Sequence, residues 1–437
     1  MKFKRMTVLV LTICISMLFC GCDLFGTADE LVSPPALTGD LSPIADALYK
    51  SAGDDLDLKY PTKGDHRSAI VLEDINSDGI FEAFAFYSTS DDEMTTMHIN
   101  VVCQKDSEWT SVSDQTITAT AIERIEFCDL NGDGREEILV GWDVNGVSEK
   151  QLSIFCFDGK ELSQQLLQAY TSFLCSDLDD DGNNEVFVHH LDTTEKTNKA
   201  LIYNLGEKGI EQTAGCIMDS TVKSASTPVL AELSNGKKAI YIDEIKGVGA
   251  VTEVLYLSKG ELKNPLLDST TTIENILTLR AAALSTQDIN GDKILEIPVA
   301  TDLPNAVEDG EKLYYTNWCS FNGETLSVKL VTIVNTVDGY YLELPNSAVG
   351  KVSVLKDVER HERKIYQYDS QTQTTGDLLF EISAIEMKKW NSRDYDRENQ
   401  TELARNADMV FVLKMGETAK SLELTEKSIK ETFKLID

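Results

Sequence analysis

A short acid-rich pattern, repeated along the chain, constrains the fold of this sequence more than any other feature. The acid that opens each copy stands at position 74, 129, 177, 232 or 288, so successive copies begin 48 to 56 residues apart. A repeat of about 50 residues with no helical pattern inside it is typical of a four-stranded β-propeller blade. The copies read EDINSDGIFEAFAFY from Glu73, CDLNGDGREEILVGW from Cys128, SDLDDDGNNEVFVHH from Ser176, AELSNGKKAIYIDE from Ala231 and QDINGDKILEIPVAT from Gln287.

Each copy lies between apolar runs of strand length. In the second repeat these runs are AIERIEFC, EILVGWDV, QLSIFCFD and ELSQQLLQ, and strands that are apolar on both faces are expected where neighbouring sheets cover both sides. Five copies between about residues 66 and 334 predict five blades, and six or seven stay open if unmarked blades lie near residues 36–65. The predicted fold class is mainly β, with a β-propeller over residues 41–336 and a small α+β domain over residues 337–437.

The acidic loops have the ligand spacing of a calcium cage. Oxygens at loop positions 1, 3 and 5, a main-chain carbonyl at position 7 and an acid at position 9 form the hard-oxygen shell that calcium prefers, and glycine at position 6 permits the sharp turn. Magnesium is less expected, because nothing in the pattern enforces its tighter octahedron. The predicted ligands are Asp74, Asn76, Asp78, Ile80 and Glu82; Asp129, Asn131, Asp133, Arg135 and Glu137; and Asp177, Asp179, Asp181, Asn183 and Glu185.

The other two copies depart from the pattern. The fifth keeps its oxygens, but Lys293 replaces the glycine, so a weaker or empty site is expected. The fourth has lost its cage and carries Lys237 and Lys238 inside the turn, which an ammonium or local hydrogen bonds would hold instead. For every copy the alternative is a metal-free turn whose side chains cap their own backbone amides. The fifth loop's predicted ligands are Asp288, Asn290, Asp292, Ile294 and Glu296, and the fourth loop has Glu232, Ser234, Gly236 and Ile240 at the corresponding acid and carboxamide positions.

The segment DLNGDGREEILVG resembles the FG-GAP or VCBS repeat of integrin-α-like propellers, and the resemblance covers about residues 66–334. It implies a calcium-binding propeller, a fold that serves adhesion, carbohydrate binding and occasionally catalysis. The family usually has Asp at loop position 9, where this chain has Glu. The whole layout is also similar to propeller lipoproteins of gut Firmicutes.

The first residues read as an export signal. Lys2, Lys4 and Arg5 precede the apolar stretch MTVLVLTICISMLF, which is shorter than a membrane-spanning helix. Because Gly21 is small, Cys22 fits a lipobox better than Cys20, which follows Phe19. The chain is therefore predicted to be a lipoprotein with a signal peptide over 1–21, a lipid on Cys22, a tether over 22–40 and a place on the outer face of the cell membrane. An ordinary export signal with an incidental cysteine pair is the alternative.

The net charge limits the classes of partner to expect, and the cysteine pattern indicates the state of the thiols. A net charge of −33 argues against nucleic acid and against direct binding to an anionic lipid surface. Six cysteines follow the leader region, and each sits singly inside an apolar run with no metal-ligand spacing, so free buried thiols are expected rather than a disulfide framework. These six are Cys103, Cys128, Cys156, Cys175, Cys216 and Cys319.

The repeat stops after Val334. Antiparallel strands are expected beyond it, followed by a short helix over 424–436 with Thr425 as its N-cap. Trp390 and several tyrosines could form a binding face, although core or edge packing is the more common role for such residues.

No catalytic motif accompanies the repeats. The sequence holds five histidines and no recognisable nucleophile, phosphate-loop or zinc pattern. Adjacent strand residues such as His189 and His190 point to opposite faces, which argues against a metal pair. The predicted function is a non-enzymatic surface binding or scaffold protein for a glycan, peptide or protein, with a polysaccharide-cleaving enzyme and an envelope-assembly scaffold as alternatives.

In the FG-GAP propellers that the repeat resembles, ligands commonly bind at the end opposite the calcium loops. The resemblance therefore implies a ligand at that end of this chain, where the loops vary in length and chemistry as they do on a rigid scaffold. Trp142 is the candidate for a stacking contact, with packing inside the blade as its alternative role. The loops of this predicted ligand face are residues 88–96, 143–150, 192–199, 245–252 and 302–312.

Overall fold

The fold is mainly β. A computed structural model describes residues 41–53, 55–89, 96–144, 150–267, 274–281, 283–308, 311–418 and 422–436. The predicted signal peptide, Cys22 and the tether lie outside these residues. Among the helices of the described residues, none is long and apolar enough to cross a membrane.

The strands form six antiparallel sheets that follow one another along the chain. The first sheet contains β1 (Leu56–Leu58), β2 (Ile70–Glu73), β3 (Glu82–Thr89), β4 (Thr96–Lys105) and β5 (Glu108–Thr118). The second contains β6 (Ala121–Cys128), β7 (Glu137–Asp143), β8 (Lys150–Phe157) and β9 (Leu162–Tyr170). The third contains β10 (Ser172–Ser176), β11 (Glu185–Asp192), β12 (Thr197–Gly206) and β13 (Gly209–Ile217).

The later sheets are less regular. The fourth contains β14 (Ser224–Ala225), β15 (Val229–Glu232), β16 (Lys238–Lys246), β17 (Gly249–Ser258), β18 (Glu261–Lys263) and β19 (Arg280–Ala281). The fifth begins with β20 (Ile297–Glu308), β21 (Glu311–Phe321), β22 (Leu326–Asn335) and β23 (Tyr340–Glu343). The sixth contains β24 (Val352–Asp357), β25 (Glu362–Asp369), β26 (Thr374–Glu386), β27 (Thr401–Arg405) and β28 (Met409–Met415). A last strand, β29 (Phe433–Leu435), pairs with β23 and completes the fifth sheet.

Alternation along the strands explains why the sheets stack. On β7, Ile138, Val140 and Trp142 pack toward the first sheet, whereas Leu139 packs toward the third. Successive side chains of a strand point to opposite faces, so a strand covered on both sides must be apolar at nearly every position. The continuous apolar run EILVGW is therefore the signature of a sheet sandwiched between two others.

Five apolar clusters join each sheet to the next. Helix α1 (Ser42–Ala52) covers the other face of the first sheet through Ile44 and Leu48. Helix α2 (Met387–Trp390) and Tyr395 cover the outer face of the sixth sheet. Within the described residues no apolar cluster joins the first sheet to the sixth, so the row of sheets is capped at both ends.

The C-terminal segment is packed into this row. The sequence boundary at 336/337 falls in the turn between β22 and β23, which pair in one sheet, and one apolar cluster unites the fifth and sixth sheets. Helix α3 (Glu426–Thr432) begins at the predicted N-cap, since the Thr425 side chain accepts from the Ser428 amide. The helix is shorter than the predicted 424–436. The reason is that Phe433 is extended, pairs with Leu342 and buries its ring in the fifth sheet.

Candidate functional site

Four acidic loops, residues 74–82, 129–137, 177–185 and 288–296, share one backbone shape. In each, the carboxylate at position 1 accepts hydrogen bonds from main-chain amides on the far side of the turn. Asp129, for example, accepts from Gly132 at 2.8 Å and from Gly134 at 2.9 Å. Positions 4 and 6 have positive φ in all four loops, with values between 56° and 93°. The sequence pattern therefore encodes one turn, repeated four times.

Lys293 has a φ of 72°, close to the 83° of Gly134 at the same loop position. The fifth loop thus keeps the shared backbone, and its lysine adopts a conformation that side chains rarely take. Its amide still donates to Asp288 at 2.8 Å. The expected strain at this position is present in the structure.

The glutamate at position 9 closes each turn from inside the protein. Glu137 accepts from the Leu130 amide at 3.1 Å, Glu185 from Leu178 at 2.8 Å and Glu296 from Ile289 at 3.2 Å. Burial, together with nearby loop aspartates, raises the pKa of Glu82 and of Glu137 to about 7. The position-9 glutamates of these two loops are therefore harder to ionise than ordinary carboxyl groups.

Carboxylate oxygens converge in two of the loops. Asp177, Asp179 and Asp181 bring ligand atoms within 4.8 Å of one another, and Asp288, Asp292 and Glu296 do the same. In the first loop the buried Glu82 Oε2 has no hydrogen-bond partner among the described residues. These features fit a cation, while the hydrogen bonds from the loop amides are also those of the metal-free turn.

The predicted carboxamide and aspartate ligands of the first two loops also take part in the turn. Asn76 Oδ1 accepts from the Asp78 amide at 2.9 Å, and Asp78 Oδ1 accepts from Ile80 at 2.8 Å. In the second loop Asn131 Oδ1 accepts from Asp133 at 3.1 Å, and Asp133 Oδ1 accepts from Arg135 at 2.9 Å. One lone pair on each oxygen remains for a further partner.

The fourth loop holds its shape without an acidic cage. The Leu233 amide donates to the Lys237 carbonyl at 2.8 Å, and the Lys237 amide donates to Asn235 Oδ1 at 3.1 Å. Of the two alternatives for this turn, local hydrogen bonds hold it. The Lys238 ammonium points elsewhere: it donates to the Asp177 carbonyl at 2.7 Å and pairs with Asp180 at 2.6 Å in the third loop.

Neighbouring loops touch in the same order along the row. The Glu136 amide of the second loop donates to the Ile75 carbonyl of the first at 2.8 Å. Asn184 Nδ2 of the third loop donates to the Asp129 carbonyl of the second at 2.7 Å. The first four loops therefore form a connected row at one end of the sheets.

Free thiols were expected at all six cysteines, and for two of them this is wrong. Cys128 and Cys175 form a disulfide that spans 47 residues of sequence. Cys128 is the last residue of β6 and Cys175 the penultimate residue of β10, the strands that lead into the second and third acidic loops. Stacked sheets thus bring together two residues that are isolated in sequence. The described thiols that stay free are Cys103, Cys156, Cys216 and Cys319.

Sequence reasoning missed a second repeated feature. Cys103 and Cys156 lie at the same place in their repeats, on the strand beside the position-9 glutamates Glu82 and Glu137. Burial, together with those glutamates, raises the pKa of both thiols to about 12. Comparing the strands VVCQKD and IFCFDG in register reveals this placement.

A cavity of about 380 Å³ opens at the end of the sheets away from the acidic loops. β11 connects the two ends, because it starts at the third acidic loop and finishes at the cavity. The wall is mostly polar and offers hydroxyls, two ammonium groups, two carboxylates and an imidazole. Its lining includes Lys150, Thr171, His190, Asp192, Thr194 and Lys223.

Behind this wall Glu123 is buried and accepts hydrogen bonds from Lys63, Lys150 and Tyr170. Burial alone would raise the pKa of Glu123, but these hydrogen bonds lower it below its usual value. Burial and the Glu123 carboxylate raise the pKa of Tyr170. The pair is thus held as a carboxylate and a neutral phenol, which suits rigid support of the cavity better than proton transfer near neutral pH.

Residues 192–199 of the predicted ligand face include four cavity residues, whereas Trp142 does not reach the cavity. Trp142 is fully buried in the cluster between the first and second sheets, and its indole N–H donates to Ser153 at 3.0 Å. The alternative role of blade packing is therefore the observed one. Residues 90–95, 145–149 and 309–310 of the predicted face lie outside the described residues.

His189 and His190 lie on opposite faces of β11, as predicted, and both are buried. His189 Nε2 lies 2.8 Å from Asn198 Oδ1, and Asn198 donates to Glu244 at 2.8 Å. Burial lowers the pKa of His189 to about 4. This histidine therefore belongs to a neutral hydrogen-bonded layer between the third and fourth sheets.

No protein-family model matches the chain, and no curated protein matches it. Solved structures similar to it include a rhamnogalacturonan lyase of Bacillus licheniformis, at 12% identity and a TM-score of 0.31 over 67% of this chain and 66% of that chain. An exotype rhamnogalacturonan lyase, YesX, is 10% identical with a TM-score of 0.29 over 74% of this chain and 83% of that chain.

An exo-β-1,3-galactanase of Phanerochaete chrysosporium is 10% identical with a TM-score of 0.27 over 76% of this chain and 71% of that chain. The chain spans just under two thirds of the length of the Bacillus lyase. TM-scores this low carry no argument about fold or function.

Proposed function

We propose that this chain is an exported, lipid-anchored binding protein. Cations stabilise the acidic-loop end of its propeller-type body, and the cavity at the opposite end holds a polar extracellular ligand. The observation that carries the proposal is the separation of these two features: repeated acidic turns gather at one end of the sheets, and the cavity opens at the other.

The proposal of a propeller-type body rests on the acidic repeat and on the sheets that contain it. In the first three sheets an acidic loop connects a strand to its antiparallel neighbour, and each sheet packs against the next. Such radial or stacked repetition of small sheets is the architecture of propeller blades. Caps at both ends of the row suit an open array of such sheets better than a closed ring.

Calcium is the cation proposed for the first three acidic loops and, more weakly, for the fifth. Asp, Asn and Glu oxygens with a main-chain carbonyl are the donors that calcium takes in flexible sites. The converging carboxylates of the third loop and the orphaned buried oxygen of Glu82 support this assignment. A cation binding only the folded protein would stabilise it by mass action.

Export is supported by the disulfide between Cys128 and Cys175. Disulfides persist in oxidising compartments outside the cytoplasm, which agrees with the predicted signal peptide. In this proposal a lipid on Cys22 holds the mature protein at the outer face of the cell membrane, with residues 22–40 as the tether.

The cavity wall favours a glycan or a peptide as the ligand. Thr171, Thr194 and the other wall hydroxyls both donate and accept hydrogen bonds, and Lys223 and Asp192 add charges of opposite sign. The wall exposes more polar than apolar surface, which favours such a ligand over a lipid. A binding site built from convergent polar groups in a concave wall is the usual arrangement for small polar ligands.

Glycan and peptide arrays probed with the leaderless chain test this function. Binding should weaken in Thr194→Ala and Lys223→Ala, which alter the wall, and should persist in the matched controls Thr213→Ala and Lys208→Ala, which lie on β13 and the turn before it. Equal binding by wall and control variants would move the ligand site away from the cavity. Release of shortened saccharides would instead identify a glycan-cleaving enzyme, and co-purification with envelope machinery an assembly scaffold.

A further inference from the structure

The third acidic loop differs from the others in both its charge and its neighbour. Position 4 of that loop is Asp180, where the first, second and fifth loops have Ser77, Gly132 and Gly291. Lys238 of the fourth loop pairs with this additional acid at 2.6 Å and lies 3.9 Å from a carboxylate oxygen of Asp177. The additional acid, Asp180, and the ammonium of Lys238 therefore occur at the same loop.

The equivalent contacts elsewhere in the row are neutral. A main-chain amide of Glu136 reaches the first loop, and the Asn184 side-chain amide reaches the second. In the third loop the contacting group is an ammonium, which donates at 2.7 Å to the carbonyl of the residue that opens the loop. A charged donor takes the place of a neutral one where the third loop meets the fourth, the loop that lacks the acidic cage.

We propose that Lys238 is a built-in cation of the third acidic loop and that it weakens this loop for a divalent ion. The inference rests on the proposed calcium function and assigns one residue that sets the affinity of one site. The ammonium neutralises Asp180 and part of the Asp177 charge without entering the space between Asp177, Asp179 and Asp181. A calcium ion placed there would be repelled by the ammonium, so the loop with the most acids would not be the tightest site.

Substitution Lys238→Met tests the proposal, because methionine keeps an apolar stem and removes the charge. Lys237→Met is the matched control, since that ammonium lies 5.7 Å from the centre of the Tyr256 ring instead of on the third loop. Calcium titration of the leaderless chain by calorimetry should show one class of sites about tenfold tighter in Lys238→Met, as expected for loss of one nearby like charge. Lys237→Met should match the wild type.

Removing a predicted calcium ligand of the third loop tests whether the change in calcium affinity arises at that loop. In an Asp177→Ala background, Lys238→Met should leave the calcium isotherm unchanged. With EDTA present, Lys238→Met should melt at a lower temperature than Lys237→Met, because the loop acids then lose the ammonium that neutralises them. Wild-type calcium binding that is unaltered by Lys238→Met would overturn this inference while leaving the calcium proposal intact. Absence of calcium binding in every variant would overturn both.

Discussion

Removing the disulfide between the second and third sheets should destabilise the protein strongly. Cys128 and Cys175 are 47 residues apart, and closing a loop of that size lowers the entropy of the unfolded chain by an amount worth about 4 kcal/mol at room temperature. The bond also ties together the strands that lead into two acidic loops. The double substitution of both cysteines by serine should therefore lower the melting temperature by roughly 5–10 °C.

Calorimetry of the double variant, with Cys216→Ser as the control, measures this loss. Addition of a reducing agent should lower the melting temperature of the wild type and leave the double variant unchanged. Alkylation of the unfolded, unreduced chain without its leader, followed by mass analysis, should modify Cys103, Cys156, Cys216 and Cys319 and spare Cys128 and Cys175. Alkylation of all six, or a melting temperature insensitive to reduction, would refute the reasoning.

Three further predictions follow from single residues. Lys293→Gly should raise the melting temperature slightly, because relief of about 1 kcal/mol of left-handed strain outweighs the added chain entropy; a drop in melting temperature would contradict this. Burial and then the neighbouring Glu253 raise the pKa of Glu244 far above its usual value, so its contribution to stability is present at acid pH and lost as the pH rises through that raised pKa. Between pH 5 and pH 8 the melting temperature of Glu244→Gln should therefore fall less than that of the wild type. An equal fall in both proteins would refute the assignment. If Cys22 carries the lipid, Cys22→Ala should be released from membranes or left unprocessed, whereas unchanged membrane association and mature mass would rule the anchor out.

Much of the fold was predictable because the repeat carries local and tertiary information together. The turn at Asp129 through Glu137 is specified by its own side chains, and the run EILVGW on both faces of β7 requires sheets on either side. The antiparallel strands after Val334 were predicted, but the packing of the sixth sheet on the fifth and the pairing of β23 with β29 were not, since no marked loop lies there and the pairing joins residues about 90 positions apart.

The candidate sites were predictable to different degrees. The ligand positions of the acidic loops follow from residue type and spacing. The Cys128–Cys175 bond and the reach of Lys238 into the third loop do not, because both depend on how one sheet stacks on the next. The cavity likewise exists only where turns of several sheets meet around His190 and Asp192.

Calcium-dependent melting tests the central claim, that the repeated acidic loops are cation sites, most directly. Because a cation bound only to the folded state stabilises it, calcium should raise the melting temperature of the leaderless chain and EDTA should lower it. Asp129→Ala should reduce that difference more than Asp288→Ala, since we expect Lys293 to weaken calcium binding in the fifth loop. Identical melting curves in calcium and in EDTA would contradict the claim and leave the loops as metal-free turns.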